Sequence, residues 1–292
     1  HGTHVAGTIA ATRDNNEGIA GVANNVKIMP LKILGINDYG EEIAAWSTQI
    51  IEAIEYAHLN GAKISNNSWG GGPCTYFMED AIDAAGNNGH LFVAAAGNAY
   101  GNDNDLYSFC PASYSSSNIL SVAAIAPNGN LAGFSNYGLA SVDLAAPGVG
   151  ILSTMSSESS YCNSSPPCYI SWGGTSMAAP HASGVAALAL GMNNGITPEE
   201  MIQMMGDNIR PTSVLNSKVR FGGELDGGAV VLAATQFTPS GTIAFVNYYE
   251  GETVLQGSTI SLTASATGAD GTGLSQSIEW VDSNGNIIDT GP

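Results

Sequence analysis

The run GGTSMAAPHASGVA at residues 173–186 constrains this chain more than any other stretch, because it sets a hydroxyl where a helix begins. Gly173 and Gly174 tolerate backbone angles closed to other residues and keep side chains away from anything that approaches. Pro180 is expected in the first turn, where a missing N–H costs no ladder bond. Met177, Ala178, Ala182, Val185, Ala186 and Leu188 then continue as an apolar helix. Ser176 is thereby placed at a helix N-terminus, whose free amides and dipole favour a developing negative charge. Such a position suits attack on a carbonyl carbon.

A serine hydroxyl is a weak nucleophile unless a base takes its proton and donors hold the resulting oxyanion. Candidates for both lie upstream, in HGTHVAGTIAA at 1–11 and HLFVAAAGNAYGND at 90–103. Taken alone, a histidine is more often structural and a Gly-Asn after a strand is an ordinary turn. Together, however, HGTHVAGTIAA, AAAGN and GTSMAAPH resemble the three signature segments of the subtilisin-like serine proteases (subtilases, peptidase family S8), in that family's order. The resemblance covers roughly residues 1–233.

What the resemblance implies is specific. The fold is α/β and three-layered, with a mainly parallel sheet, and the activity is endopeptidase hydrolysis through an acyl-enzyme on Ser176. His1 is the general base. Asn98 donates its side-chain amide to the oxyanion beside the Ser176 backbone N–H; one such donor is worth about 3 kcal/mol, a figure measured on subtilisin itself. Ser68, Trp69 and Gly70 in NNSWGGG match the strand along which an extended substrate adds, and glycine there lets a second backbone come close. Ala96 and Gly97, with the loop up to Pro111, wall the main specificity pocket; Phe109 and Cys110 depart from the better-known members and either narrow that pocket or pack beside it. His4 and His181 are packing residues. His1 and His4 do not make a metal pair, since no HExxH glutamate accompanies them.

The family's triad aspartate precedes the histidine motif, and these 292 residues begin at that histidine. Asp143, in SVDLAAPG, is in the wrong part of the chain for that role. The expectation is a parent protein that is a protease and a 292-residue polypeptide that is nearly inactive, because loss of this aspartate costs roughly 3 × 10⁴ in turnover in subtilisin itself. Two other readings compete. One is a non-catalytic binding protein on a degenerate protease fold, against which the presence of Ser176, His1 and Asn98 counts. The other is an α/β-hydrolase esterase, which needs a G-x-S-x-G elbow and a histidine after the serine; GGTSMA supplies neither.

Composition narrows the partners. With 44% hydrophobic residues, the chain can bury a sizeable core. A formal charge of -18, from 25 acidic against 7 basic residues, argues against nucleic acid or an anionic membrane as partner. No apolar run reaches the ~18 residues of a membrane span. The expected partners are protein or peptide substrates, with the protein itself a monomer. Secretion follows from the resemblance, and with it an oxidising compartment. Of the three pairings open to Cys74, Cys110, Cys162 and Cys168, we read Cys162–Cys168 as a local closure of the NSSPP loop, leaving Cys74 with Cys110; four reduced thiols are the alternative. No cofactor is required. A structural calcium is allowed, since Asp14, Asn16, Asp103 and Asp105 are hard oxygen donors in loops, though a solvated acidic loop explains them equally.

Along the chain, short apolar runs alternate with helical patterns, which predicts a parallel sheet covered on both faces. Strands are expected at 26–34, 63–68, 91–96, 119–125 and 142–145, and helices at 43–58, 76–85 and 197–206. Ser68 and Asn98 then follow strand C-termini, the edge where open α/β sheets bind ligands. The peptidase domain is expected at 1–235. Beyond it, strand-like runs at 242–249, 259–266 and 277–282, an Asn284-Gly285 hairpin signal and a core candidate, Trp280, suggest part of an immunoglobulin-like sandwich at 240–292. Such a domain needs ~100 residues.

Overall fold

The apolar runs at 91–95 and 119–125 offer no polar side to water, so they are stable only as strands covered on both faces. In the structure, a computed structural model, every residue of both runs is buried. The structure describes residues 1–23, 25–36, 42–162 and 167–237, and strand segments at 242–245, 264–267, 278–281 and 287–291.

In chain order, α1 (Gly2–Ala10) is followed by β1 (Leu34–Ile36) and β2 (Glu42–Ala44), an antiparallel ribbon. Next come α2 (Ser47–Leu59), β3 (Ile64–Asn67), α3 (Tyr76–Asn87), β4 (Leu91–Ala95), β5 (Ile119–Ile125) and β6 (Leu144–Pro147). A second ribbon, β7 (Ile151–Met155) with β8 (Cys168–Trp172), leads into α4 (Thr175–Met192). Then follow α5 (Pro198–Asp207), β9 (Arg210–Pro211), β10 (Gly223–Glu224) and α6 (Gly227–Gln236). The last strands are β11 (Thr242–Phe245), β12 (Ala264–Thr267), β13 (Ile278–Val281) and β14 (Ile287–Gly291).

The main sheet has six strands in the order β3-β4-β5-β6-β10-β9. It is parallel from β3 to β10, and only β9 runs against its neighbour. The alternation of side chains along a strand divides the core. Leu91, Val93 and Ala95, with Leu120, Val122 and Ala124, pack with Ala178, Ala182, Val185 and Ala186 of α4. Phe92, Ala94 and Ile119 pack with Met78, Ile82 and Ala85 of α3 and Ile54 of α2. Helices thus cover both faces of a mostly parallel sheet, the α/β architecture expected.

Several expectations are corrected. The strand expected at 26–34 does not form: 26–33 has no regular structure, Ile28, Met29 and Leu31 are exposed, and only Leu34–Ile36 is paired. A strand needs a neighbour for its N–H and C=O groups, and no described strand lies beside this run. The helix expected at 43–58 starts later, at Ser47, because 43 and 44 belong to β2. The strand expected at 142–145 is displaced to Leu144–Pro147. Pro180 lies inside α4 rather than in its first turn. The helix α1, the β7–β8 ribbon and α6 were not anticipated.

At the C-terminal end, β11 pairs with β12 and β13 with β14, all antiparallel. Residues 246–249, 259–263, 277 and 282, the Trp280 side chain and the Asn284-Gly285 turn lie outside what the structure describes. Four paired strands are consistent with an all-β segment; they do not establish an immunoglobulin-like domain.

Candidate active site

Ser176 is the second residue of α4, reached from β8 through Gly173 and Gly174. The Gly174 N–H donates to the Gly148 carbonyl at 2.8 Å, which fixes where the helix starts. The N–H groups of Met177 and Ala178 both point back to the Gly174 carbonyl, at 3.0 and 3.3 Å. The Ser176 N–H has no acceptor among the described residues, as expected of an early helical amide.

Asn98 stands just beyond β4, facing this helix start. Its Oδ1 accepts from the Thr175 N–H at 2.9 Å and from the Thr175 hydroxyl at 3.0 Å. With the carbonyl end held there, the amide end is the free one: Nδ2 has no acceptor among the described residues, and Asn98 is exposed. Two N–H donors are therefore available at one end of α4. The turn carrying Asn98 is braced from behind by buried amides that the sequence did not mark. The Asn136 N–H donates to the Gly97 carbonyl at 2.9 Å, while Asn136 Oδ1 accepts from Ala99 N–H at 2.7 Å. Asn104 Nδ2 donates to the Ala96 carbonyl at 2.9 Å, and Asn136 Nδ2 donates to Asn104 Oδ1 at 3.0 Å. Gly97 adopts φ +107, and its N–H donates to Thr175 Oγ1 at 3.1 Å. Thr175, fully buried, thus ties Asn98 and Gly97 to the start of α4.

Ser68 approaches from the end of β3. Its hydroxyl donates to the Ser176 carbonyl at 2.8 Å, and the Ser176 hydroxyl donates to the Ser68 carbonyl at 3.3 Å. The first bond has a clear origin. In a regular helix the Ser176 carbonyl would accept from residue 180, but Pro180 has no N–H. The Ser68 hydroxyl supplies the missing donor. Beside it, Trp69 donates Nε1–H to Asn67 Oδ1 at 3.2 Å and meets Phe92 edge-on.

His1 precedes α1 as its N-cap and is exposed, its ring 6.3 Å from that of Trp172 on β8. It makes no hydrogen bond to Ser176 among the described residues. The structure therefore brings Ser176, Asn98, Ser68, Ala96 and Gly97 together through these bonds, while the ring that His1 meets is that of Trp172, the last residue of β8. His4 is fully buried, stacks on Trp172 at 5.0 Å, and shares Nε2–H between the Ile151 and Ile170 carbonyls at 3.1 and 3.0 Å. Burial pushes its pKa down, against those two bonds. His181 donates Nδ1–H to the Met177 carbonyl at 2.8 Å, and burial likewise lowers its pKa. Both rings are neutral packing groups that lock α1 and α4.

The disulfides Cys74–Cys110 and Cys162–Cys168 are formed, the pairing read from the sequence. Among the described residues no group of three His, Cys, Asp or Glu side chains could hold a metal. Asp105 already accepts from Ala140 N–H, Ser141 N–H and the Ser141 hydroxyl, and Asp14 pairs with Arg13 at the surface.

An open, mostly parallel sheet whose strand ends meet a serine at a helix N-terminus, opposite a free side-chain amide, defines the class of α/β serine hydrolases. Within that class the chain belongs to the subtilase family, peptidase S8, whose model matches residues 1–223. It is 40% identical over 246 residues to the extracellular basic protease of Dichelobacter nodosus, covering 78% of this chain and 36% of that protein. It is 34% identical over 278 residues to the extracellular protease of Xanthomonas campestris, covering 92% of this chain and 45% of that one. A solved protease from Pseudoalteromonas arctica superposes with a TM-score of 0.69 at 36% identity, over 80% of this chain and 70% of that chain. The chain thus spans less than half the length of the two curated relatives.

Proposed function

We propose that this chain is the catalytic part of a secreted serine endopeptidase that cleaves proteins and peptides through an acyl-enzyme on Ser176. The observation that carries the reading is the pair of unengaged donors, Ser176 N–H and Asn98 Nδ2, at the N-terminus of α4, with Asn98 held by Thr175. In the reaction His1 takes the proton from Ser176 Oγ as that oxygen attacks the carbonyl carbon. The oxyanion forms between the two donors, in a preorganised field that needs no reorientation. The tetrahedral intermediate collapses as the C–N bond breaks, and His1 returns the proton to the leaving amine. Water, activated by His1, then attacks the acyl-enzyme and releases the acid. Ser68, Trp69 and Gly70 pair with the substrate backbone.

Secretion is supported by the two disulfides and by relatives named as extracellular. The test is fluorophosphonate labelling of the protein expressed with its native upstream sequence, read by intact mass beside Ser176→Ala. One adduct on the native protein and none on the variant is the expected outcome. A folded protein that gains no mass in either form would remove the protease reading.

A further inference from the structure

The two segments that run up to the nucleophile carry glycines, Gly70 and Gly71 on one and Gly97 on the other, and the Phe109 ring lies against all three. Ser68 bonds Ser176, and the chain continues from it into Gly70 and Gly71. Asn98 bonds Thr175, and Gly97 precedes it. A Cβ built on Gly70 would stand 2.5 Å from Phe109 Cε1 and 2.9 Å from the Cys110 carbonyl oxygen. One on Gly71 would stand 3.2 Å from Phe109 Cε2, and one on Gly97 would meet Asn136 Nδ2 first and would lie 2.9 and 3.0 Å from Phe109 Cδ1 and Cε1. The Phe109 ring is therefore in contact with both walls at once. Glycines on facing walls ordinarily leave a slot for a ligand side chain; here a residue of the chain itself fills it.

The ring is not free to leave. Phe109 N–H donates to Ser113 Oγ at 2.9 Å, and its carbonyl accepts from Ser113 N–H at 3.1 Å. The next residue, Cys110, is bonded to Cys74, and its carbonyl accepts from Gly71 N–H at 2.9 Å. The ring itself packs against the buried cluster of Met78, Ile82 and Phe92. Moving it aside would break these contacts together.

Resting on the proposed protease function, we infer that Phe109 is the specificity-determining residue. It fills the slot beside Ser176 and restricts the substrate residue that supplies the scissile carbonyl to small side chains such as glycine, alanine or serine. A carbonyl held between Ser176 N–H and Asn98 Nδ2, on a peptide extended along Ser68 to Gly70, turns the side chain of its own residue toward the space between the two glycine walls. A methyl group meets the edge of the Phe109 ring; a phenyl or isobutyl group overlaps it.

The test uses succinyl-tetrapeptide p-nitroanilides that differ only in an alanine or a phenylalanine at the scissile bond, with the protein expressed with its native upstream sequence. The unmodified protein is expected to favour alanine in kcat/KM by at least about tenfold, the scale of forced overpacking. Phe109→Ala is expected to shift that ratio toward phenylalanine by about tenfold or more. Phe109→Leu, which keeps an apolar side chain against the cluster, is expected to fall between the two. If the unmodified protein cleaves the phenylalanine substrate as well as the alanine one, the inference is wrong even should the alanine variant fail to fold. An unchanged ratio in the leucine variant also overturns it. Fluorophosphonate labelling of the unmodified protein separates the two readings: a labelled protein with no preference for small residues sinks only the role of Phe109, while an unlabelled one sinks the protease function beneath it.

Discussion

Pro180 looks like an error in a helix interior, and its effect is felt at Ser176. By withholding the N–H that the Ser176 carbonyl would otherwise accept, it leaves a polar atom to be satisfied from outside the helix, and the Ser68 hydroxyl does so at 2.8 Å. The first residue of the proposed substrate strand is thereby bonded to the backbone of Ser176. Ser68→Ala is expected to destabilise the protein by about 1–3 kcal/mol, the cost of an acceptor left without its donor. Pro180→Ala restores an intrahelical N–H, so in that background the same substitution should cost clearly less. Urea unfolding of the four proteins in a double-mutant cycle measures this, and equal costs in both backgrounds would refute it. The sequence alone marked Ser176, Asn98 and Ser68, because each sits in a segment whose neighbours are distinctive. It did not mark Thr175, Asn104 or Asn136, whose only signal is burial: a polar residue satisfied by chain-distant carbonyls looks no different in a sequence from one in a surface turn. Nor did it decide Phe109, because whether a ring fills a slot or packs beside it depends on where two other segments lie.

Elements were legible in proportion to how far their own side chains determine their burial. The strands β4 and β5 read directly as apolar runs, and α5 was marked by Thr197, whose Oγ1 accepts from Glu200 N–H at 3.2 Å. The β7–β8 ribbon was missed because Ser153, Thr154, Ser171 and similar residues carry no clean alternation; its place is set by α1, where the Ser153 hydroxyl donates to the His4 carbonyl at 2.7 Å. The apolar run at 26–34 shows the converse, a strand-like pattern without a described neighbour to pair with. At this scale the disulfides also differ in weight. Cys74–Cys110 spans a sequence separation of 36 and ties the loop carrying Phe109 to the segment that follows Gly70 and Gly71, whereas Cys162–Cys168 spans only 6. Loop-closure entropy gives about 3.8 kcal/mol for the long closure and about 2.2 kcal/mol for the short one. Replacing Cys74 and Cys110 by serine should therefore lower unfolding stability by roughly 1.5 kcal/mol more than replacing Cys162 and Cys168. Denaturant midpoints of the two double variants test the order, and a larger loss from the short closure would contradict the loop-entropy account.

The whole molecule carries a formal charge of -18, yet one of its carboxyl groups is held where ionisation is costly. Asp143 is buried next to β6, accepting from Ser121 N–H on β5 at 2.8 Å and from Arg220 Nη1 at 3.3 Å. Burial raises its pKa from 3.8 to about 6, against the pull of that N–H and of the half-exposed guanidinium. The native state thus binds this proton more tightly than the unfolded chain does. The stability that results is fully present below pH 3.8 and is lost as pH rises through about 6. A shift of this size corresponds to about 3 kcal/mol. Other groups act in the opposite sense: the lowered pKa values of His4, His90 and His181 add stability as pH rises toward 6.5, and those of Asp105 and Asp226 add it as pH rises toward 3.8. Comparing the protein with Asp143→Asn cancels them, since they are common to both. Asparagine keeps an acceptor for Ser121 N–H, cannot ionise, and gives up only a pairing with a largely hydrated arginine, worth about 1 kcal/mol or less. Relative to the native protein, the variant should therefore gain stability between pH 4 and 7, by up to about 3 kcal/mol, with little further change above that range. Unfolding free energies measured across this range decide the matter: a difference that stays flat with pH would mean that Asp143 ionises in the fold as readily as in the open chain, and that its burial is relieved by water.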